Sequence, residues 1–423
     1  MVQRVLGEYV AQVRDSGRNA RLFLAGIFLI GFGQSVFSLL YNLYLRELGL
    51  GDAAIGQVLS KNSLGAAVAA IPVAFLFRAL STRLILVAAG AAASIMFLLQ
   101  GTLVAPELLL SAAFLAGMVL TTFRLSIAPV VMRETGEEAR PFLFSAAFAV
   151  LFLAAIAGSA LGGLLPHLFR LLTSVDRLAF RWSLWTACGI TLLSAVPFYR
   201  MRERSGGAAA AAPTTPWGQI RELAEIDWGL QFKLALPSAM IGLGAGLIIP
   251  FMNLFFRDRF GLDAAAIGVL FMVMQGFMLV GNLFGPAVSR RLGLVRGVVL
   301  TQLVSVPFMM LLALSQSFPV VLGAFFLRGG LMNMNQPLAS HFAMEVVPEQ
   351  AHAITNSVLA LAWYVSWSVS ADIGGALIER KGYTEPLLIA AGLYVLASVL
   401  FYVFFQGVDE ARVPRAKVEI PEA

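Results

Sequence analysis

The chain states one pattern twice. Gly31, Gly33, Asn42, Leu43 and Arg46 return as Gly242, Gly244, Asn253, Leu254 and Arg257, a shift of 211 residues. Leu50, Ile55 and Gly56 return as Leu262, Ile267 and Gly268, and Ser145, Gly162 and Gly163 return as Ser357, Gly374 and Gly375, all shifted by 212. Each copy lies in a long apolar stretch. Self-similarity at this period requires two related units of about 200 residues each.

Those units belong in a bilayer. Of 423 residues, 59% are hydrophobic and 13% charged, whereas a soluble domain carries about 25% charged residues. Apolar runs near twenty residues cross about 30 Å of hydrocarbon as helix. Twelve are expected: 22–45, 53–77, 84–103, 108–132, 143–168 and 183–200 in the first unit. In the second they are 231–256, 264–288, 293–313, 318–344, 353–377 and 384–406. No stretch alternates as barrel strands do. The fold class is therefore an all-α integral membrane protein of twelve transmembrane helices in two six-helix bundles. The organisation expected is an N-terminal bundle over 1–200, a cytoplasmic linker over 201–230, a C-terminal bundle over 231–406 and a tail over 407–423. The linker holds Gly206-Gly207, an alanine run, Pro213 and Pro216. Trp217 to Glu225 and Val2 to Val13 both have the pattern of short helices at a membrane surface.

The net charge of +6 reflects topology rather than nucleic acid. With the N-terminus inside, nineteen of the 30 Lys and Arg fall in inside segments and eight outside. That asymmetry predicts both termini in the cytoplasm of a multi-pass protein of the cell inner membrane. The other three, Lys61, Arg124 and Arg328, fall within spans. His167, His341 and His352 have no metal-ligand spacing, and Gly162-Gly163 lacks the lysine and hydroxyl of a phosphate loop. Neither a metal site, a cofactor nor an enzyme activity is expected. Cys188 is the single cysteine, which excludes an internal disulfide.

Twelve spans, a six-plus-six repeat and a central linker resemble the major facilitator superfamily. The sharpest local match runs from Gly285 to Gly293 with Arg290, Arg291 and then Arg296, similar to that family's inner-loop signature. Ser289 stands at its acidic position. The first-half loop carries Arg78 where the family usually has aspartate. The resemblance implies an inner gate at Arg78, Gly285, Arg290, Arg291 and Gly293, with helix-end carbonyls meeting Arg78 or Arg290 in place of the missing carboxylate. The run Gly158 to Gly163 resembles a span-five motif that marks antiporters, without its central proline, and hints at efflux. Arg124 resembles the family's span-four arginine.

Ionisable side chains in hydrocarbon are costly and face a cavity or a partner. Lys61 and Arg124 are therefore candidate contacts for substrate, with snorkelling as the other reading of Lys61. Asp372, the one acid deep in a span, is expected to pair with Arg328, as a structural salt bridge or as an ion-coupling site. Spans one and seven line the pathway in the resembling family, which puts Asn42 and Asn253 at an outer gate, on cargo, or in a helix–helix hydrogen bond. Gln34, Tyr41, Gln275, Asn333, Gln336 and Trp363 complete the expected polar and aromatic lining, with Asn282 and Asn335 nearby. Pro337 permits a bend beside Asn333.

Together these imply a secondary transporter working by alternating access as a monomer among membrane lipids. It is expected to move a small amphipathic or anionic molecule, with a proton gradient and in the direction of export. A nutrient or organic-acid importer is the rival. A non-transporting receptor or a lipid scramblase on the same scaffold is the reading from another class. Nucleic acid is not expected as a partner.

Overall fold

A computed structural model describes residues 17–134, 140–202 and 226–410. The expected surface helices at Val2–Val13 and Trp217–Glu225 lie outside the described residues, as do most of the expected linker and the last thirteen residues. The described chain is helical and unbranched by strands. In the first half lie α1 (Arg18–Glu47), α2 (Asp52–Ala79), α3 (Thr82–Thr102), α4 (Pro106–Glu134), α5 (Arg140–Arg170) and α6 (Asp176–Leu193), the last extended by Ala195–Tyr199. In the second half lie α7 (Trp228–Ile248, continued through the 3-10 turn Ile249–Phe251 to Met252–Phe260), α8 (Ala264–Leu292), α9 (Leu294–Leu314), α10 (Phe318–Val346), α11 (His352–Lys381) and α12 (Thr384–Glu410). Among the described residues, nine helical stretches are long and apolar enough to cross a membrane. α6, α10 and α11 fall outside that set. α10 carries Arg328, Asn333, Asn335 and Gln336, and α11 carries Asp372, residues that a helix facing only lipid would not hold.

Local chemistry sets the boundaries. Ser81, Asp227 and Asp263 accept a backbone N–H from the first turns of α3, α7 and α8, satisfying donors that a helix start leaves open. Gly49 and Gly261, one repeat apart, leave α1 and α7 with φ of +85° and +66°, a conformation that a side chain would strain. Two boundaries differ from the sequence expectation. α6 begins at Asp176, because apolar residues on one face start well before the uniformly apolar run. α7 is not one helix: Pro250 lacks an N–H to bond back into the preceding turn, and the chain tightens there into 3-10 geometry.

The apolar core has a forked plan. One cluster joins both halves, with Val36, Leu40, Tyr44, Ile55 and Leu165 packed with Ile248, Phe251, Phe255, Ile267 and Ile378. It lies at the end bearing the α1–α2 and α7–α8 turns, the clamped end. Toward the other end the core divides. Phe23, Ile27, Phe123 and Phe198 belong to a cluster of the first half alone, and Leu234, Phe342, Phe401 and Phe405 to one of the second half. The halves meet along two seams, α2 with α11 and α5 with α8.

Candidate substrate pathway and inter-half clamp

Of the repeated residues, Asn42, Arg46, Gly56, Gly163 and their second-half equivalents touch across the halves, whereas Gly31, Gly33, Gly162 and their equivalents pack within a half. The contacts are reciprocal. Asn42 donates to the Pro250 carbonyl at 2.6 Å, and Asn253 donates to the Leu39 carbonyl at 2.9 Å. Leu39 and Pro250 are themselves one repeat apart. The two asparagines also meet each other, Asn42 Nδ2 donating to Asn253 Oδ1 at 3.1 Å. Both are 3% exposed, so these amides have no water to fall back on. One turn further out, Arg46 reaches Asp258 at 3.4 Å and Arg257 reaches Glu47 at 2.5 Å. Arg46 also pairs with Asp52. Along the seams Gly56 faces Gly375, and Gly268 faces Gly163. A methyl added at Gly56 would fall 2.6 Å from the Ala371 carbonyl oxygen, and one at Gly268 would fall 2.6 Å from the Gly163 Cα. The backbones touch, which only glycine permits.

Two further contacts, one between the halves and one within the second half, have no counterpart one repeat away. Glu379 accepts the Ala53 N–H at 2.7 Å, capping the start of α2 from the opposite half. Tyr383 donates to Asp258 at 2.6 Å. Burial and that carboxylate push the Tyr383 phenol above its ordinary range, so it stays a neutral donor. Beside it a cavity of about 310 Å³ is lined by Asp258, Arg259, Gln316, Tyr383 and Thr384.

The two seams differ in chemistry. On α2–α11, Ser60 and Ser368 hydroxyls lie 3.0 Å apart, and Ser63 donates to the Tyr364 carbonyl at 3.0 Å. Next toward the open end, Arg124 of α4 donates to the Tyr364 hydroxyl at 3.3 Å. In the α5–α8 seam, the repeat places Ile156 opposite Ser368 and Met272 opposite Ser60. One seam is thus polar and the other apolar.

The expected site residues divide accordingly. Asn42 and Asn253 are in the clamp. Arg124 and Gln336 are exposed, on α4 and α10, toward the open end. Gln34, Gln275 and Trp363 are half-buried, and Trp363 leans on Trp367 with ring centroids 5.6 Å apart. Asn333 donates within its own helix to the Gly329 carbonyl at 3.2 Å. Tyr41 is 5% exposed and stacked on Phe37 at 4.7 Å, and its buried hydroxyl has no partner among the described residues.

Arg328 does not pair with Asp372. Arg328 is 4% exposed and donates to the Tyr394 hydroxyl of α12 at 3.0 Å, while Asp372 is exposed. Adjacency in sequence misled, since α10 packs chiefly on α8 and α9, and α11 on α2 and α7. Helical rotation carries Asp372, one turn beyond Ser368, and Lys61, one residue beyond Ser60, to the same flank of the antiparallel α2–α11 seam. That flank is opposite the one where α7 meets Gly374 and α4 meets Asn62. Lys61 is exposed there in line with Val68 and Ile71.

At the open end, the helix-end carbonyl of Phe77 is met by Arg133, at 3.2 Å, with Thr82 receiving the other guanidinium nitrogen at 2.6 Å. The Arg78 side chain lies outside the described residues. Arg290 and Arg291 are exposed. Gly285 packs against Pro337, and Gly293 turns from α8 to α9 with φ of +82°.

Sequence reading missed Tyr364, Tyr394, Ser60, Ser368, Glu47 and Asp258. Only the last two carried a signal, as acids following repeated arginines.

No curated protein matches the chain. Solved structures do. A bacterial homolog of the human lysosomal transporter Spinster, solved inward-facing and occupied, superposes with a TM-score of 0.75 at 12% identity over 92% of this chain and 96% of that one. The nucleoside transporter NupG gives 0.75 at 13% identity over 92% and 99%. The human organic anion transporter MFSD10 gives 0.61 at 15% identity over 91% and 99%. These likenesses show a shared fold. A family model described as the Major Facilitator Superfamily matches residues 23–371 and again 234–422. Two six-helix halves related by an internal repeat, and a model that recognises nearly the whole chain, make this protein a member of the major facilitator superfamily of membrane transporters.

Proposed function

We propose that the protein is a proton-coupled secondary transporter that exports a small amphipathic or anionic molecule across the cell membrane. It works as a monomer with both termini in the cytoplasm. The carrying observation is the fork. Reciprocal contacts join the halves at one end, while Arg124 and Gln336 stand exposed toward the other. In the orientation favoured by the Lys and Arg distribution, the clamped end is outside and the pathway opens to the cytoplasm. Export from this state needs the clamp to release and the open end to close.

The cargo class follows from charge. Arg124 contributes an exposed cation whose partner among the described residues is a tyrosine hydroxyl, and a cation lining a pathway attracts an anion. The polar α2–α11 seam beside it supplies hydroxyls for orientation. Coupling is assigned to Asp372, the acid within a span, whose proton affinity would change as the seam beside it parts. The resemblance of Gly158–Gly163 to an antiporter motif supports export.

Purified protein in liposomes with an imposed pH gradient tests this reading. Gradient-dependent movement of an organic anion, abolished by Asp372→Asn with folding intact, is the expected result. Solute movement indifferent to the gradient, or lipid movement alone, would sink it in favour of a receptor or scramblase.

A further inference from the structure

Among the described residues, Arg328 is the least explained charge. It is 4% exposed, and a guanidinium cannot shed its charge inside a protein. A buried cation persists only when something compensates it. Among the described residues no carboxylate lies within ion-pair distance of it. Its visible compensation is Tyr394: Nη2 donates to the hydroxyl at 3.0 Å, and the guanidinium lies 5.4 Å from the ring centroid. Its Nε is buried with no acceptor.

The tyrosine makes the imbalance larger. Because Arg328 donates to the Tyr394 oxygen, the Tyr394 O–H proton must go elsewhere, and no described group accepts it. Tyr394 is 1% exposed. Two donors, Nε–H and O–H, therefore sit together in a buried place without an acceptor. A purely structural tie between α10 and α12 would not leave both open.

We infer that Arg328 and Tyr394 form an occluded binding site for a carboxylate carried on an apolar body, a subsite for the cargo of the transporter proposed above, and the inference rests on that reading. A carboxylate matches the guanidinium edge bidentately and accepts the phenol proton with a remaining lone pair. One cation suits one negative charge, so a monoanion fits better than phosphate. Access is tied to the clamp. The Tyr394 ring lies against Gly244 of α7, where a methyl would fall 2.8 Å from it. α7 is the helix that carries Pro250, Asn253 and Arg257, so release of the clamp also shifts the helix covering this site.

Benzoate is the probe, and arginine labelling of the intact wild-type protein by phenylglyoxal is the readout, scored at Arg328 by peptide mass spectrometry. Slow labelling is expected without ligand, reduced at least fivefold by saturating benzoate and much less by inorganic phosphate. Tyr394→Phe should weaken that protection severalfold. Arg328→Lys should lose the benzoate-induced rise in Tm while folding normally. Equal labelling with and without benzoate overturns the site, as does failure of Arg328 to label while Arg124 labels. Stronger protection by phosphate overturns the carboxylate assignment. Benzoate protection without gradient-driven flux would keep the site and remove the transporter reading. Flux without protection would do the reverse.

Discussion

Arg257 and Glu47 lie about a third or less exposed, at 32% and 22%, and they join helices from opposite halves. A double-mutant cycle on Arg257→Ala and Glu47→Ala should return a coupling of about 1 kcal/mol, between the values typical of surface pairs and of desolvated ones. The coupling should appear in the clamped state and vanish when a bound partner or crosslink holds that end apart. Tyr383 gives a different kind of test. A tyrosine whose pKa is raised on folding contributes stability that is complete below its ordinary value of about 10 and is lost only above it. Tyr383→Phe should therefore lower Tm by the same amount at pH 6 and pH 9. A loss that grows between those values would mean that the phenol ionises in the folded protein.

The helices meet where side chains are missing. Gly56→Ala places a methyl against the Ala371 carbonyl and Gly268→Ala places one against Gly163, so either must push its seam apart. The expected outcome is a shift toward the state open at the clamped end, read as faster alkylation of a cysteine at Asn253. Unchanged alkylation would show that the seam yields without cost. These glycines were legible in the sequence, because the repeat preserved them. Their pairing was not, because a repeat says which residues are equivalent and not which meet. The same gap explains Arg328. Its burial within an apolar span was readable from the span itself, but its partner came from α12, sixty-six residues away. Tyr394 and Tyr364 had no signal, since an aromatic in an apolar helix is indistinguishable from packing. The break in α7 was readable from Pro250, yet the apolar run on both sides concealed it.

At the scale of the molecule, two bundles share a core at one end and keep separate cores at the other. Under the alternating access proposed above, such a body would move by rocking, since packed halves are rigid and the contact between them is not continuous. A cysteine pair at Ser60 and Ser368, whose hydroxyls are 3.0 Å apart, should crosslink under mild oxidation. The crosslink should cut solute flux at least tenfold, with recovery on reduction. Flux that persists through the crosslink would exclude rocking across this seam. The twelve-helix architecture and its division into halves could be read from hydropathy and the repeat. The state of the molecule could not, because under alternating access the same residues would serve both states and only their contacts would differ.

The exchange of partners across the seams reaches further than gating. Gly56 and Gly268 are one repeat apart, and so are Gly163 and Gly375, Asn42 and Asn253, Arg46 and Arg257. A first half placed against a second copy of itself would find the same complements: Gly56 on Gly163, Asn42 on the Leu39 carbonyl, Arg46 on Glu47. That surface is self-complementary, the signature of a two-fold homodimer. The present chain has in this sense the plan of a covalently joined dimer, whose two halves differ in the polar seam, the capping acid Glu379 and the buried Arg328 while sharing the surface by which they meet.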